Sequence, residues 1–461
     1  MPYDDPEDDV ILGEDDIDEV YEDEGSDAEF EDDDEDLTAA SGAEPMIKDE
    51  PGEPKERPDN AIGGTFLHKP DSAIFALALH PSFPNPPLAV SGGQDDRGFL
   101  FSPIPAGKGP FTREHFKPIE LTGHTDSVAA AAFSTDGEYV ATGGLDGRVR
   151  VWRRVKSKLA QLRGTSPSDD DPEAWRHWEF ITSLEAGGEV QWLTWHPKGT
   201  VLSAGCEDAT VWMWNLPTGR TMSVLSSHTM ASTAGIFPPP AGKQLLTSSL
   251  DSSLILWNPV ASTYEFKTSI FYPPHAPTLD PSIHGITSLA VSPNGALAAV
   301  GGAGGRVRLV ALPRGEIVNT LEGHALRESV EALVFVDLLN GADGNKGVVL
   351  VSAGTDGQVF VFDATSGRVR AQLRHPEPVT AIAAHPAPCQ YLVTTSALDR
   401  TLRTWDVRTG TLVAEHVGHA GAVNSVAVAP APEGWESPAG LPQAQVIVSA
   451  GDEGASIIWV V

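Results

Sequence analysis

Eight times along this chain a small or acidic turn residue is followed, six positions later, by a large hydrophobic residue. The pairs are Asp95 and Phe101, Asp146 and Trp152, Asp208 and Trp214, Asp251 and Trp257, Gly304 and Val310, Asp356 and Phe362, Asp399 and Trp405, and Glu453 and Trp459. Successive turn positions lie 43 to 62 residues apart. Short alternating runs separated by turn residues fill each interval, the pattern of antiparallel strands joined by tight turns. Eight such units at a period of about 50 residues predict an all-β fold, an eight-bladed propeller.

The stretch from Gly123 to Trp152 serves as the template. A Gly123-His124 pair precedes an alternating run, Val128 to Phe133. A turn at Thr135-Asp136-Gly137 leads to Tyr139–Thr142, and a second turn at Asp146-Gly147 leads to Val149, Val151 and Trp152. Alternation places Val149 and Val151 on one face of a strand, Arg148 and Arg150 on the other. His, Ser or Thr, Asp and Trp then recur in register. An imidazole can bridge the turn acid to the second-strand hydroxyl, which in turn meets the indole N–H, so that buried polar atoms form one satisfied network. The full set is readable as His124, Thr142, Asp146, Trp152; His228, Thr247, Asp251, Trp257; and His375, Thr395, Asp399, Trp405. The last repeat has His419, Ser449, Glu453 and Trp459, while repeats one, three, five and six read as incomplete.

These residues resemble the WD-repeat family over roughly residues 60–461, with Trp405-Asp406 and the drifted Phe362-Asp363 where that family's signature dipeptide stands. Val461 follows directly on the third strand of the last repeat, so the run Thr65-Phe66-Leu67-His68 is expected to supply the missing outer strand. Pairing first and last segments closes the ring and removes an exposed edge.

Charge divides the chain in two. The formal net charge is −33, of which residues 1–59 hold −24, with 27 acids against three bases. That segment has too few apolar residues to offset chain entropy and self-repulsion, and is expected to be a disordered acidic tail. Two cysteines, Cys206 and Cys389, cannot frame a disulfide scaffold and fit a reducing compartment. No apolar run has the roughly 18 residues that span a bilayer, and the N-terminus is acidic where a signal peptide is basic. A soluble cytoplasmic protein, with the nucleus as a second location, is the expectation.

The sequence contains no pattern of catalytic, cofactor or metal-binding residues. Most of its 14 histidines hold positions in the repeat, no His/Cys cluster has ligand spacing, and Gly301–Gly305 lies in a strand–turn–strand frame rather than before a helix. Arg153, Arg154, Lys156 and Lys158 open a long insertion that turns acidic from Ser168 to Glu173, so a solvated loop is expected rather than a nucleic-acid patch. Trp405-Asp406-Val407-Arg408 resembles the short box of substrate receptors in cullin-type ubiquitin ligases.

The positions that flank the start of each inner strand face the narrow top of the ring. Aligned on Val128, the pairs are Ala73/Phe75, Ser127/Ala129, Glu189/Gln191, Ala231/Thr233, Gly285/Thr287, Ser329/Glu331, Pro378/Thr380 and Ala422/Asn424. The residue before each turn position joins them: Gln94, Leu145, Glu207, Leu250, Ala303, Thr355, Leu398 and Asp452. Only Glu189, Glu207, Glu331 and Asp452 are charged, and all four are acidic. An acidic funnel attracts a cationic segment.

The acidic tail and the third repeat, Gly188-Glu189-Val190-Gln191-Trp192 through Trp212-Met213-Trp214, resemble the family of angio-associated migratory cell protein and its fungal relative, a ribosome-assembly chaperone. The resemblance implies a non-enzymatic escort. Its client is the basic N-terminal segment of the large-subunit ribosomal protein of the L-ten type, which it holds until transient contact with the pre-60S particle. A monomer without direct nucleic-acid or membrane binding is expected. A ubiquitin-ligase scaffold and a histone-binding propeller are the alternatives.

Overall fold

The computed structural model describes residues 59–104, 117–155, 175, 177–272, 278–339 and 347–461. Of the acidic segment 1–59, only Asp59 is among them, and Lys156, Lys158 and Ser168–Glu173 also lie outside the described residues.

The strands form eight four-stranded antiparallel sheets. The inner strands of blades one to eight are Ile74–Leu79, Val128–Phe133, Val190–Trp195, Ser232–Ile236, Ile286–Val291, Val330–Asp337, Val379–Ala384 and Val423–Pro430. Each lies beside the inner strand of the next blade, and the eighth lies beside the first. The chain folds as an eight-bladed propeller, as the repeat predicts.

Burial follows from alternation plus stacking. Eight apolar clusters fill the eight seams between consecutive blades. Between blades two and three, for example, Ala141, Val149 and Val151 meet Val190, Leu202 and Trp214. Between blades eight and one, Val446, Val448 and Ile458 meet Leu67, Ala89 and Phe101. A third-strand aromatic such as Trp214 or Trp459 is fully buried; trimming one to Ala costs about 3–5 kcal/mol. The residue after each turn position is left-handed: Gly147, Gly305, Gly357 and Gly454 adopt it freely, at φ +73° for Gly147, whereas Asp96, Ala209, Ser252 and Arg400 hold it with a side chain, at φ 65–69°.

Ring closure differs in register from the sequence reading. The outer strand of blade eight is Gly63–Phe66, pairing Gly63 with Ile458, Thr65 with Ser456 and Phe66 with Ala455. Leu67 and His68 lie beyond the strand: both amides reach the Gly454 carbonyl, at 3.1 and 3.2 Å. His68 then turns inward as part of blade one. Asn60 bolts this segment down. Its side-chain oxygen accepts from the Val417 amide at 2.9 Å and the Trp459 indole at 3.1 Å, and its amide group donates to the Glu415 carbonyl at 2.7 Å.

A chain starting at residue 59 retains all of these contacts, whereas one starting at Leu67 loses the strand and Asn60. The longer form is expected to melt like the full chain. The shorter should lose on the order of 3 kcal/mol or more and self-associate through its exposed edge. Calorimetry and size-exclusion chromatography decide it; equal melting temperatures would show that Gly63–Phe66 does not hold the ring closed.

Candidate functional site

The rim at the top of the ring rests on a chain of buried hydrogen bonds. In blade seven the Trp405 indole donates to Thr395 Oγ1 at 2.9 Å, His375 Nε2 lies 2.8 Å from the same hydroxyl, and His375 Nδ1 lies 3.3 Å from the Asp399 carboxylate. One proton direction satisfies every atom. The indole gives to the hydroxyl, the hydroxyl to Nε2, and Nδ1–H to the carboxylate. Burial alone would raise the Asp399 pKa, but its bonds to His375 and Thr401 outweigh that and hold it below the ordinary carboxylate value.

The network varies between blades. In blade four the Trp257 indole and His228 both reach Thr247, at 2.8 and 2.7 Å. There Ser253 relays the contact: His228 Nδ1 lies 2.6 Å from Ser253 Oγ, while Asp251 is 3.8 Å away. This Ser–His–Asp set is buried beneath the blade, with its imidazole spanning two hydroxyls, and serves packing. In blade two His124 bridges Asp146 at 3.1 Å and Thr142 at 2.8 Å. Among the described residues, however, no bond joins the Trp152 indole to Thr142. That ring stands edge-on to Phe180 with Arg150 above it, correcting the four-residue chain expected there. In blade eight His419 bonds Glu453 and Ser449, but the Trp459 indole turns to Asn60 and Val417.

Two networks were not recognised in the sequence. His68 lies 2.6 Å from Asp95 and 3.0 Å from Ser91. His324 lies 3.0 Å from Asp356 and 2.8 Å from Ser352. Phe101 and Phe362 fill the tryptophan positions of those blades, so the missing Trp masked intact His–Asp–Ser sets. Blades three and five fill the imidazole slot differently. The Phe271 ring packs on Gly302, where His124 packs on Gly144 in blade two. The buried Cys206 thiol lies against Gly187 and Gly188, and burial pushes its pKa up to about 11. With no imidazole to bond, the turn of blade five carries Gly304, whereas that of blade three keeps an exposed Asp208 bonded to Thr210.

The rim itself is built identically in all eight blades. The amide of the residue before each turn position donates to the carbonyl of the residue before the inner strand, over 2.9–3.1 Å: Gln94 to Ala73, Leu145 to Ser127, Glu207 to Glu189, Leu250 to Ala231, Ala303 to Gly285, Thr355 to Ser329, Leu398 to Pro378, and Asp452 to Ala422. Each inner strand also carries a bulge at its second residue, between Val128 and Ala130 in blade two and between Val330 and Ala332 in blade six. A bulge leaves one residue unpaired and re-aims its side chain. The bulged residues are Phe75, Ala129, Gln191, Thr233, Thr287, Glu331, Thr380 and Asn424. The aligned positions therefore share one backbone frame, blade five included.

Glu189, Glu207, Glu331 and Asp452 are all exposed on this rim. The Glu207–Glu189 backbone bond makes these two acids backbone neighbours on blade three. Glu331 accepts from the Ser329 hydroxyl. Asp452 accepts from the Asn424 amide group at 2.7 Å, and Asn424 also reaches the Ile74 carbonyl across the closing seam at 3.2 Å. Some surface acids elsewhere pair with arginine: Glu120 with Arg97, Glu179 with Arg153, Asp363 with Arg370, Glu415 with Arg403. Among the described residues none of the four rim acids has an ion-pair partner. One further residue per blade, immediately before the first rim position, adds the exposed Asp126, Glu328 and Glu377 and again no Lys or Arg. Glu328 is held by the Thr355 hydroxyl at 2.6 Å. The signal was present one position upstream of the alignment.

Arg408 of the Trp405–Arg408 box is already engaged. Its guanidinium bonds both oxygens of Asp406 and lies 3.5 Å over the Tyr391 ring. Among the described residues no group of three His, Cys, Asp or Glu is arranged to hold a metal.

The model of the WD domain, G-beta repeat matches residues 117–153, 178–215, 278–310 and 367–406. An uncharacterised WD repeat-containing protein of Schizosaccharomyces pombe is 32% identical over 373 residues, spanning 81% of this chain and 82% of that protein. The chain belongs to the WD-repeat family. This WD-repeat protein is also 27% identical over 379 residues to the angio-associated migratory cell protein of Canis lupus familiaris, covering 79% of this chain and 74% of the relative. Among solved structures, Sqt1 of Chaetomium thermophilum bound to the N-terminus of ribosomal protein L10 superposes with a TM-score of 0.70 at 25% identity, covering 88% of this chain and all of that one.

A second buried chain crosses the strands of blade seven: His385, Thr394, Thr404 and His416, linked at 2.8, 2.8 and 2.9 Å, with the His416 ring against Trp459 of blade eight. Burial pushes His385 down to about 3 and His416 to about 4, and also lowers His68 and His124. The unfolded chain therefore binds more protons below about pH 6.5, so stability is full above that value and falls as pH drops towards 4. The depressed carboxylates of Asp356, Asp399 and Glu453 act lower, lost only below their ordinary range. Urea unfolding should lose on the order of a few kcal/mol between pH 7 and pH 4. His416→Gln should fall less steeply; a wild-type curve flat over that window would mean that these imidazoles are not buried neutral.

Proposed function

We propose that this WD-repeat protein is a non-enzymatic chaperone in large ribosomal subunit biogenesis that holds the basic N-terminal segment of a ribosomal protein of the L10 type on its acidic rim. The observation that carries this reading is the set of exposed, unpaired acids in one backbone frame, with no Lys or Arg among the aligned positions. Likeness to Sqt1, whose solved partner is the L10 N-terminus, supports the same client class. A nascent ribosomal protein is rich in Lys and Arg and binds stray RNA when free. A carboxylate rim meets those charges with charge-assisted hydrogen bonds, and ribosomal RNA, with a denser array of anions, takes the client away at assembly. Glu189 and Glu207 on blade three, Glu331 on blade six and Asp452 on blade eight would engage separate basic residues along an extended segment. We place the protein in the cytoplasm as a monomer, reaching the pre-60S particle only transiently. The ubiquitin-ligase reading has less support, because Arg408 is committed to Asp406 and Tyr391 within its own blade.

Calorimetric titration of an L10 N-terminal peptide into wild type, Glu189→Lys and Glu331→Lys tests the proposal, with a histone-tail peptide as competitor. Each reversal removes an attraction and adds a repulsion, so affinity should fall at least roughly tenfold, with circular dichroism unchanged. Raising salt should weaken wild-type binding in parallel. Unchanged affinity in both variants would remove the rim from the mechanism, and tighter binding of the histone peptide would favour a chromatin client.

A further inference from the structure

The face opposite the rim carries a cleft with different chemistry. It opens across blades three, four and five, where turns join first strands to second and third strands to outer, and it encloses about 850 Å³. Phe237, Leu256 and Leu312 line its interior, with Met222 and Val260 at the mouth. The mouth residues are wet: Met222 is 46% exposed and Val260 89%. Its only titratable lining groups are His196, Lys198 and Lys243, so no carboxylate lines it. On a chain of net charge −33, where the opposite rim has acids and no bases, this is a local inversion of sign.

We propose that this cleft is a second interaction surface that takes a segment of a partner protein in which apolar side chains are flanked by carboxylates. The apolar interior takes the hydrophobic residues, and the two lysine ammonium groups pair with the flanking acids. Charge complementarity selects the sign of the partner: a basic segment suited to the rim meets two lysines here and is repelled. The open mouth selects its size. A small amphiphile within the enclosed part leaves Val260 and Met222 in water, whereas a peptide running across the cleft covers both. The two faces would thus accept partners of opposite charge at opposite ends of the ring, which suits a carrier that must bind its cargo and a docking partner at once.

The probe is a phage library of random dodecapeptides panned on the full-length protein, with counter-selection on a Lys198→Glu, Lys243→Glu double variant. All substituted positions lie at the surface, so the fold survives. Enrichment of apolar peptides bearing Asp or Glu is expected. Their affinity should drop at least roughly tenfold in the double variant and in Val260→Asp, and be unaltered in Glu331→Lys. That last variant separates this surface from the rim, so failure of one reading leaves the other standing. Three results would overturn the proposal: no counter-selectable peptide; enrichment of Lys- and Arg-rich peptides sensitive only to Glu331→Lys; or 1:1 binding of laurate that is lost in the double variant but kept in Val260→Asp, without any peptide retained, which would make the cleft a small-amphiphile site.

Discussion

The histidine bridge is the constraint on which the rest of the structure depends. His124 sits on the loop that leads into an inner strand, and its ring reaches across to Thr142 and Asp146, on the second strand and its following turn. The Asp146 carboxylate reaches back to the Thr125 amide at 3.0 Å. Loop and turn are the two segments that carry the rim residues. A buried imidazole with both nitrogens bonded has one orientation, so the two segments have one separation. In the six blades that have the imidazole, the short rim bonds between backbone amide and carbonyl fit that separation. Binding chemistry at the surface therefore inherits its geometry from polar atoms that solvent does not reach.

Blades three and five show which part of this device is indispensable. Each replaces the imidazole, by a thiol or a phenyl ring, and each keeps the rim bond: Glu207 to Glu189 and Ala303 to Gly285, both at 2.9 Å. The backbone frame tolerates any group that fills the slot without leaving a polar atom unpaired. Blade three keeps an exposed Asp208, bonded to the Thr210 hydroxyl at 2.6 Å instead of to an imidazole, and blade five has Gly304 at that position. Blade four reaches the same end with an inserted hydroxyl, Ser253, between His228 and Asp251.

How much of this was legible follows from what kind of constraint each residue obeys. The repeat, the number of blades and the rim alignment were readable because strand alternation and turn chemistry recur at fixed offsets. His68 and His324 were missed because Phe101 and Phe362 replaced the tryptophan used to recognise a complete set. His68 also follows Phe66 and Leu67 without a break in pattern, which placed the closing strand two residues late. Asn60 has no local signature; its partners lie more than 350 positions away. The cleft beneath blades three to five is assembled from turns of three repeats, none of which carries a motif. Sequence periodicity reports what a repeat does for itself, and surfaces shared between repeats leave little trace in it.

Closure through Gly63–Phe66 puts segments from opposite ends of the described chain into one sheet. During synthesis the first of these leaves the ribosome long before its partner, Ala455–Val460, exists. Seven blades can fold as local meanders, but the eighth seam joins residues about 390 positions apart, the slowest kind of contact to form. Until then the edge of the last blade is open, and the Asn424–Ile74 bridge beside Asp452 has no partner to cross to. The geometry of that part of the rim is thus coupled to synthesis of Ala455–Val460. A product truncated before Ala455 carries Glu189, Glu207 and Glu331 yet lacks the closed ring that aligns them, so the fold itself distinguishes a chain that has its last strand from one that does not.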